Sequence, residues 1–295
     1  MDEAGSDTLF VLDLGCGRGG DIAKWLQAVE FVRKCYPKLW TKGCHYVGVD
    51  ISASSVTLAQ ERCRKWRQKL HAEFHICDFT DAASTRILAS QWPSKGFHIV
   101  SSQMALHYAF KSSSTAKTFA TVVRSALYRV GPSVFVATTT DRRHILSELE
   151  VAGVAAKPSS LQNAFFSVRL AVPVEDAIVA EYGAECRFSL AGAVDDCKEY
   201  LMDVDTLRYL LNVSEAGAAK TARLWSDNMW DFPGCLLDDA VVDKGAELGA
   251  HVSDELRMEA LRLARGPYGL DSRHTFPVAS AEVCRLYRTI LALVK

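Results

Sequence analysis

The chain has 295 residues, 49% of them hydrophobic and 23% charged, with a formal net charge of −1. That is enough apolar material for one large α/β domain or two small ones. The near-neutral balance excludes a protein that clamps long duplexes through many phosphates, but not one that recognises a single nucleotide or a short 5′ end.

The elements follow in chain order. Leu9–Leu14 is a short apolar run with a glycine-rich end, and Asp21 to Cys35 has helical periodicity. His45–Asp50 reads as a second strand. Ser52 to His71 reads as a helix, with Val56, Ala59, Cys63, Trp66 and Leu70 on one face. Phe74–Cys77, Phe97–Ser102 and Val134–Thr138 are three more strands, and a helix from Ser114 to Arg129 precedes the last of them. Strands alternating with helices at this spacing predict a parallel sheet covered on both faces.

The second half is less regular. Phe165–Leu170 and Glu185–Leu190 alternate like the two strands of a hairpin outside the main sheet, and Asp203–Asn212 reads as a helix. A helix from Ser253 to Arg265 has acids in its first turn, arginines in its last and Gly266-Pro267 to stop it. Cys284–Val294 is a final strand, while Ala216–Ala222 and Asp238–Gly249 read as loops.

Nine cysteines at irregular positions, without a CxxC pair, point to a reducing compartment in which most pack as small hydrophobes. Met1–Thr8 has neither a basic nor an apolar leader region, and no apolar run approaches the ~18 residues of a membrane span. The expected compartment is the nucleus or the cytoplasm, with no secretion and no membrane.

The chemistry concentrates at Asp13-Leu-Gly-Cys-Gly-Arg-Gly-Gly-Asp21, which closes the first strand and opens the first helix. Glycines there let a ligand approach the backbone closely. Asp50 ends the second strand, where an acid accepts hydrogen bonds from a ribose diol. Asp78, after the third, is placed to reach an adenine edge. Gly15, Gly17 and Gly20 also satisfy GxGxxG, so spacing alone does not separate a dinucleotide from S-adenosylmethionine. Asp21 does: an acid at the helix start opposes a pyrophosphate and, with Asp13, suits a cationic sulfonium ligand.

The D-x-G-x-G form resembles motif I of class I methyltransferases. Gly15–Trp25 is more particular and resembles the mRNA cap (guanine-N7) methyltransferase family, with its LGCGKGGD element. Val100–Phe110, with Gln103 and His107-Tyr108, is similar to that family's fourth-strand signature. Cys197–Leu201 and Cys284–Arg288 resemble its acidic guanine-edge segment and its C-terminal tyrosine strand.

The resemblance implies an α/β fold, Rossmann-like, with a mostly parallel seven-stranded sheet and an inserted substrate-side hairpin. It implies one methyltransferase domain over 1–295, with 1–150 the cofactor half and 151–295 the insertion and the completion of the sheet. Cofactor positions are Asp13, Gly15, Gly17, Asp21, Asp50 with Ile51, Asp78 with Phe79, and Gln103. His107, Tyr108, Glu199 and Tyr287 fall on guanine positions, and Arg18 and Arg62 on cap-phosphate positions. Implied partners are 5′-capped RNA and capping-enzyme or polymerase proteins. No metal is expected, nor an acid–base catalyst, because guanine N7 is a free lone-pair nucleophile.

The chain also departs from the family. Thr140 stands where a proline follows the fifth strand, Cys186 where E-Y-x-F has tyrosine, and Arg18 where lysine is usual. The family's upstream N-R-x-x-N-x-x-K element has no counterpart before the glycine loop. A methyltransferase of a small molecule or of another nucleic-acid position, and a non-catalytic subunit on the same fold, are the alternative readings.

Overall fold

A computed structural model describes residues 8–38, 40–127, 133–151, 160–162, 166–190, 194–212, 222–228 and 286–294. The expected helix at Ser253–Arg265, the loop at Asp238–Gly249 and Cys284 lie outside these residues.

The first elements are β1 (Thr8–Leu14), α1 (Ile22–Cys35), β2 (Gly43–Asp50), α2 (Ala53–Cys63), β3 (Leu70–Ile76), α3 (Ala82–Ala89), β4 (Ile99–Gln103), α4 (Ser113–Ala126) and β5 (Ser133–Thr140). Local chemistry sets the helix starts. The side chains of Ser52 and Asp81 accept from the amides of Ser55 and Ser84, and Ser112 and Thr115 form a reciprocal capping box. Such caps contribute about 1 kcal/mol each.

Then come α5 (Arg142–Val151), β6 (Ser160–Gln162), β7 (Phe166–Leu170), α6 (Val174–Val179), β8 (Glu185–Leu190), β9 (Val194–Tyr200), α7 (Val204–Asn212), β10 (Ala222–Asn228) and β11 (Tyr287–Val294). Seven strands form one sheet in the order β10-β11-β5-β4-β1-β2-β3. The pairs β1–β2, β1–β4, β2–β3 and β4–β5 are all parallel. Their register lines up the carboxyl ends: Asp13 lies beside Gly48 and Ser101, Asp50 beside Ile76, and Gln103 beside Thr138. In open α/β sheets, ligands bind at those ends.

Three expectations need correction. The helix from Ser52 ends at Cys63, passes through a 3₁₀ turn at Arg64–Trp66, and gives way to a strand at Leu70. Leu70 continued the helical spacing only by coincidence; it is buried as the strand neighbour of Cys44. The hairpin exists, with β7 antiparallel to β8, but β6 and β9 extend it into a four-stranded sheet. Ala222, expected in a loop, starts β10.

The chain divides into two compact units. The first comprises Met1–Thr138, Asp203–Trp225 and Ile290–Lys295; the second comprises Thr139–Met202 and Ser226–Thr289. A core of the first gathers Leu9, Val11, Ile22, Leu26, Tyr46 and Leu70. That of the second packs Ile145, Leu149, Val168, Cys186, Phe188 and Tyr287. Among the described residues no helix is long and apolar enough to cross a membrane.

Candidate functional site

The glycine loop leaves β1 in a conformation that demands glycine. Gly15, Gly17 and Gly19 have φ of +83°, +51° and +70°, a region costly for residues with a Cβ. The amides of Gly15 and Cys16 both donate to the Val49 carbonyl, at 2.8 and 2.9 Å, which ties the loop to the end of β2. A Cβ on Gly15 would lie 2.4 Å from that of Ala105 and 3.5 Å from the Phe79 ring, whereas one on Gly17 would meet nothing within 4 Å. Gly15 is therefore fixed by packing. Gly17 borders open space, where a ligand can approach the backbone.

The acids take different environments. Asp50 accepts from the Gly17 amide (2.8 Å) through Oδ2 and from the Ser52 amide (2.9 Å) through Oδ1, so it braces the loop directly. Asp78 Oδ1 accepts from the Thr80 amide and hydroxyl at 2.8 and 2.7 Å. Asp13 is almost fully buried, at 1% exposure. Its Oδ2 accepts from the Tyr46 hydroxyl at 2.6 Å, and burial pushes its carboxyl up to about 7, against the lowering effect of that bond. Asp21 sits at the start of α1 and pairs with Lys24 at 2.5 Å instead of capping the helix. Ile51 is 68% exposed beside Asp50, whereas Phe79 is buried against Phe119.

Gln103, at the end of β4, donates to the Val136 carbonyl and the Ser101 hydroxyl and accepts from Thr138. A 3₁₀ turn at Leu106–Lys111 follows, carrying His107 and Tyr108. Their rings lie 4.5 Å apart between centroids. His107 is buried and its imidazole is pushed down to about 3, so it is neutral at physiological pH. Tyr108 is 37% exposed. Arg18, on the glycine loop, and Arg62, in the last turn of α2, are both exposed.

Glu199 and Tyr287 belong to the second unit. Glu199 is buried on β9, opposite Cys186 in the β8–β9 register, and burial pushes its carboxyl up to about 7. Phe188, two residues along the same face as Cys186, carries the Tyr287 ring at 5.8 Å, edge-on.

Residues 1–215 match the model of the mRNA (guanine-N(7))-methyltransferase domain. The chain belongs to this family. The mRNA cap guanine-N(7) methyltransferase of Drosophila melanogaster is 31% identical over 211 residues, covering 68% of this chain and 44% of that protein. Those of Schizosaccharomyces pombe and Saccharomyces cerevisiae are each 28% identical over 68% of this chain, and over 50% and 44% of theirs. The chain thus spans about half the length of the curated relatives it matches. A solved S-adenosylmethionine-dependent methyltransferase from Clostridium acetobutylicum is similar at 11% identity and a TM-score of 0.46, covering 97% of this chain and 84% of that one.

The mostly parallel α/β sheet is consistent with a Rossmann-like fold, in a chain of a methyltransferase family. Two of the expected departures, Cys186 and Thr140, are buried. Cys186 is fully buried, and burial with the nearby Glu199 raises its thiol far above the ordinary range. Thr140 is buried at the end of β5, and the hydroxyls of Thr139 and Thr140 have no hydrogen-bond partner among the described residues. Next to them, Asp141 takes two bonds from Arg288, at 3.0 and 2.8 Å, and its backbone amide donates to Leu286. Cys16 is buried in the core of the first unit, and burial likewise raises its thiol.

Sequence reasoning missed the supports of the site. Tyr46, the donor to Asp13, and Thr138, the donor to Gln103, were read only as parts of strands. A tyrosine in an otherwise apolar central strand was the available signal, since a buried hydroxyl needs a partner.

Proposed function

We propose that this chain is the methyl-transferring domain of an mRNA cap guanine-N7 methyltransferase, carrying a methyl group from S-adenosylmethionine to N7 of a 5′ GpppN cap. The observation that carries the reading is the convergence of Asp13, Gly17, Asp50 and Asp78 at the carboxyl ends of three adjacent parallel strands, in a chain of this family.

The residues fit the cofactor. Gly17 borders open space, and buried Asp13 keeps a second carboxylate oxygen, Oδ1, outside its bond to Tyr46, with the Ser101 hydroxyl beside the carboxyl. Asp50 with Ile51 would hold the ribose, Asp78 with Phe79 the adenine, and Asp13, Asp21 and Gln103 the cationic end. S-adenosylmethionine supplies an electrophilic methyl group on its sulfonium.

The rest is the work of this chain's side chains. Guanine offers N1–H and N2–H₂ as donors and O6 as an acceptor. Glu199, when ionised, can take both donors, and a neutral His107 ring can donate one N–H to O6. Tyr108 and Tyr287 hold the base plane, where stacking is worth about 1–3 kcal/mol, and Arg18 and Arg62 meet the cap phosphates. No proton has to leave N7, so holding the reacting atoms about 3 Å apart in line supplies most of the catalysis, roughly 7–11 kcal/mol. The reaction belongs in the nucleus, beside the capping enzyme and polymerase that make the 5′ end.

Glu199→Gln tests the guanine assignment. An amide keeps the shape but offers one acceptor, so kcat/KM on GpppG-capped RNA is expected to fall roughly 30- to 1000-fold, the equivalent of about 2–4 kcal/mol. S-adenosylhomocysteine affinity should be unchanged, and an inosine cap, lacking the 2-amino group, should separate wild type from variant far less. Wild-type efficiency of Glu199→Gln on the guanine cap would remove Glu199 from guanine recognition, whereas no transfer to the cap by the wild-type chain would favour a small-molecule acceptor.

A further inference from the structure

On the opposite end of the same strands, β2 and β3 assemble a second constellation. His45 on β2 pairs directly with His71 on β3, and Glu73 and His75 follow His71 at two-residue intervals, which puts them on one face. The Glu73 carboxylate lies among three imidazoles. Its Oε1 is 3.0 Å from His45 Nε2 and 3.8 Å from His71 Nδ1, and its Oε2 is 3.7 Å from His75 Nε2. One ligand atom each from His45, His71 and Glu73 falls within 4.8 Å of the others. His45 lies five positions before Asp50, roughly 16 Å along the strand, so this cluster is separate from the cofactor residues.

We propose that His45, His71 and Glu73 form a binding site for a divalent transition-metal ion of the zinc class, with water as the fourth ligand. Ligands at about 2.0–2.2 Å from a tetrahedral zinc ion stand about 3.3 Å from one another, and the observed 3.0 and 3.8 Å bracket that separation. Only the His45 contact is short enough to be a hydrogen bond; the His71 nitrogen is too far from the carboxylate for one, yet near enough to share an ion with it. Two imidazoles with one carboxylate are a donor set that suits zinc over magnesium or calcium.

The platform is prearranged. The His45 and His71 rings meet edge-on at 4.3 Å, and Phe10 walls the other side of His45 at 5.3 Å. A bound ion would clip the terminal strand of the sheet, β3, to β2.

The experiment is zinc titration of the untagged full chain against a chromophoric chelator, with cobalt(II) substitution to read the ligand set. Wild type is expected to hold one ion at this site, and its Tm should rise with zinc concentration. His71→Gln, at a side chain 68% exposed, and Glu73→Gln should each weaken that ion by about tenfold or more and abolish its effect on Tm, with metal-free unfolding of His71→Gln near wild type. The cobalt spectrum should show tetrahedral nitrogen and oxygen ligation without a thiolate charge-transfer band. Equal zinc affinity in wild type and both variants, a thiolate band, or no ion held by wild type overturns the proposal.

Discussion

At the scale of single residues, Asp13 holds the sharpest tension between stability and function. An ordinary aspartate titrates near 3.8, and burial raises this one to about 7. The folded chain therefore keeps a proton that the unfolded chain releases. That contribution to stability is present in full below about 3.8 and is lost as pH rises through about 7, amounting to at most roughly 4 kcal/mol. Asp13→Asn, which still accepts from Tyr46, is expected to flatten the decline of denaturation stability between pH 4 and 7. It should also make the chain more stable than wild type at pH 7.5 while weakening its affinity for S-adenosylmethionine. A variant that keeps the wild-type decline would show that Asp13 is not the group responsible. The sequence announced Asp13, Asp50 and Asp78 because acids at strand ends beside glycines have few structural reasons to be there. It could not announce their differing environments, because burial of a carboxylate is a property of the packed sheet.

At the scale of elements, the junction of β1 with the glycine loop is the most constrained point of the first unit. Gly15 combines a positive φ with a Cβ position 2.4 Å from Ala105. Gly15→Ala should therefore destabilise the chain by about 1–3 kcal/mol from backbone strain alone, and by more once the overlap is relieved by moving the turn after β4. Chemical denaturation reads this directly, and a loss under about 0.5 kcal/mol, the usual size for an unconstrained surface site, would show that the loop can relax. Motif and element were legible together here because a glycine pattern specifies both a turn and a close approach. The boundary between α2 and β3 was not. Val56, Ala59, Cys63, Trp66 and Leu70 keep a helical period across a real break, since a buried strand residue can fall in phase with a preceding helix. The four-stranded sheet was half legible for a similar reason: β7 and β8 alternate, whereas β9, Val-Asp-Asp-Cys-Lys-Glu-Tyr, exposes its first residues and buries only Glu199 and Tyr200.

At the scale of the whole molecule, the parallel sheet could be read from strand–helix alternation, because each apolar run is bounded by turn residues and the first three strand ends each carry an acid. The division into units could not. The chain enters the second unit at Thr139 and returns to the first at Asp203, and no composition shift marks either point. Glu199 and Tyr287 were found by resemblance to a family, whereas Asp13, Asp50 and Asp78 could be argued from the chemistry of the fold. The claim that joins them is transfer of a methyl group to the cap guanine. It is tested most directly by labelled S-adenosylmethionine offered with GpppG-capped, ApppG-capped and uncapped RNA, followed by digestion to locate the label. The account predicts label on the GpppG cap as 7-methylguanosine and background on the other two. Equal labelling of the ApppG cap, label at an internal nucleotide, or cofactor binding with no transfer to any of the three would contradict it.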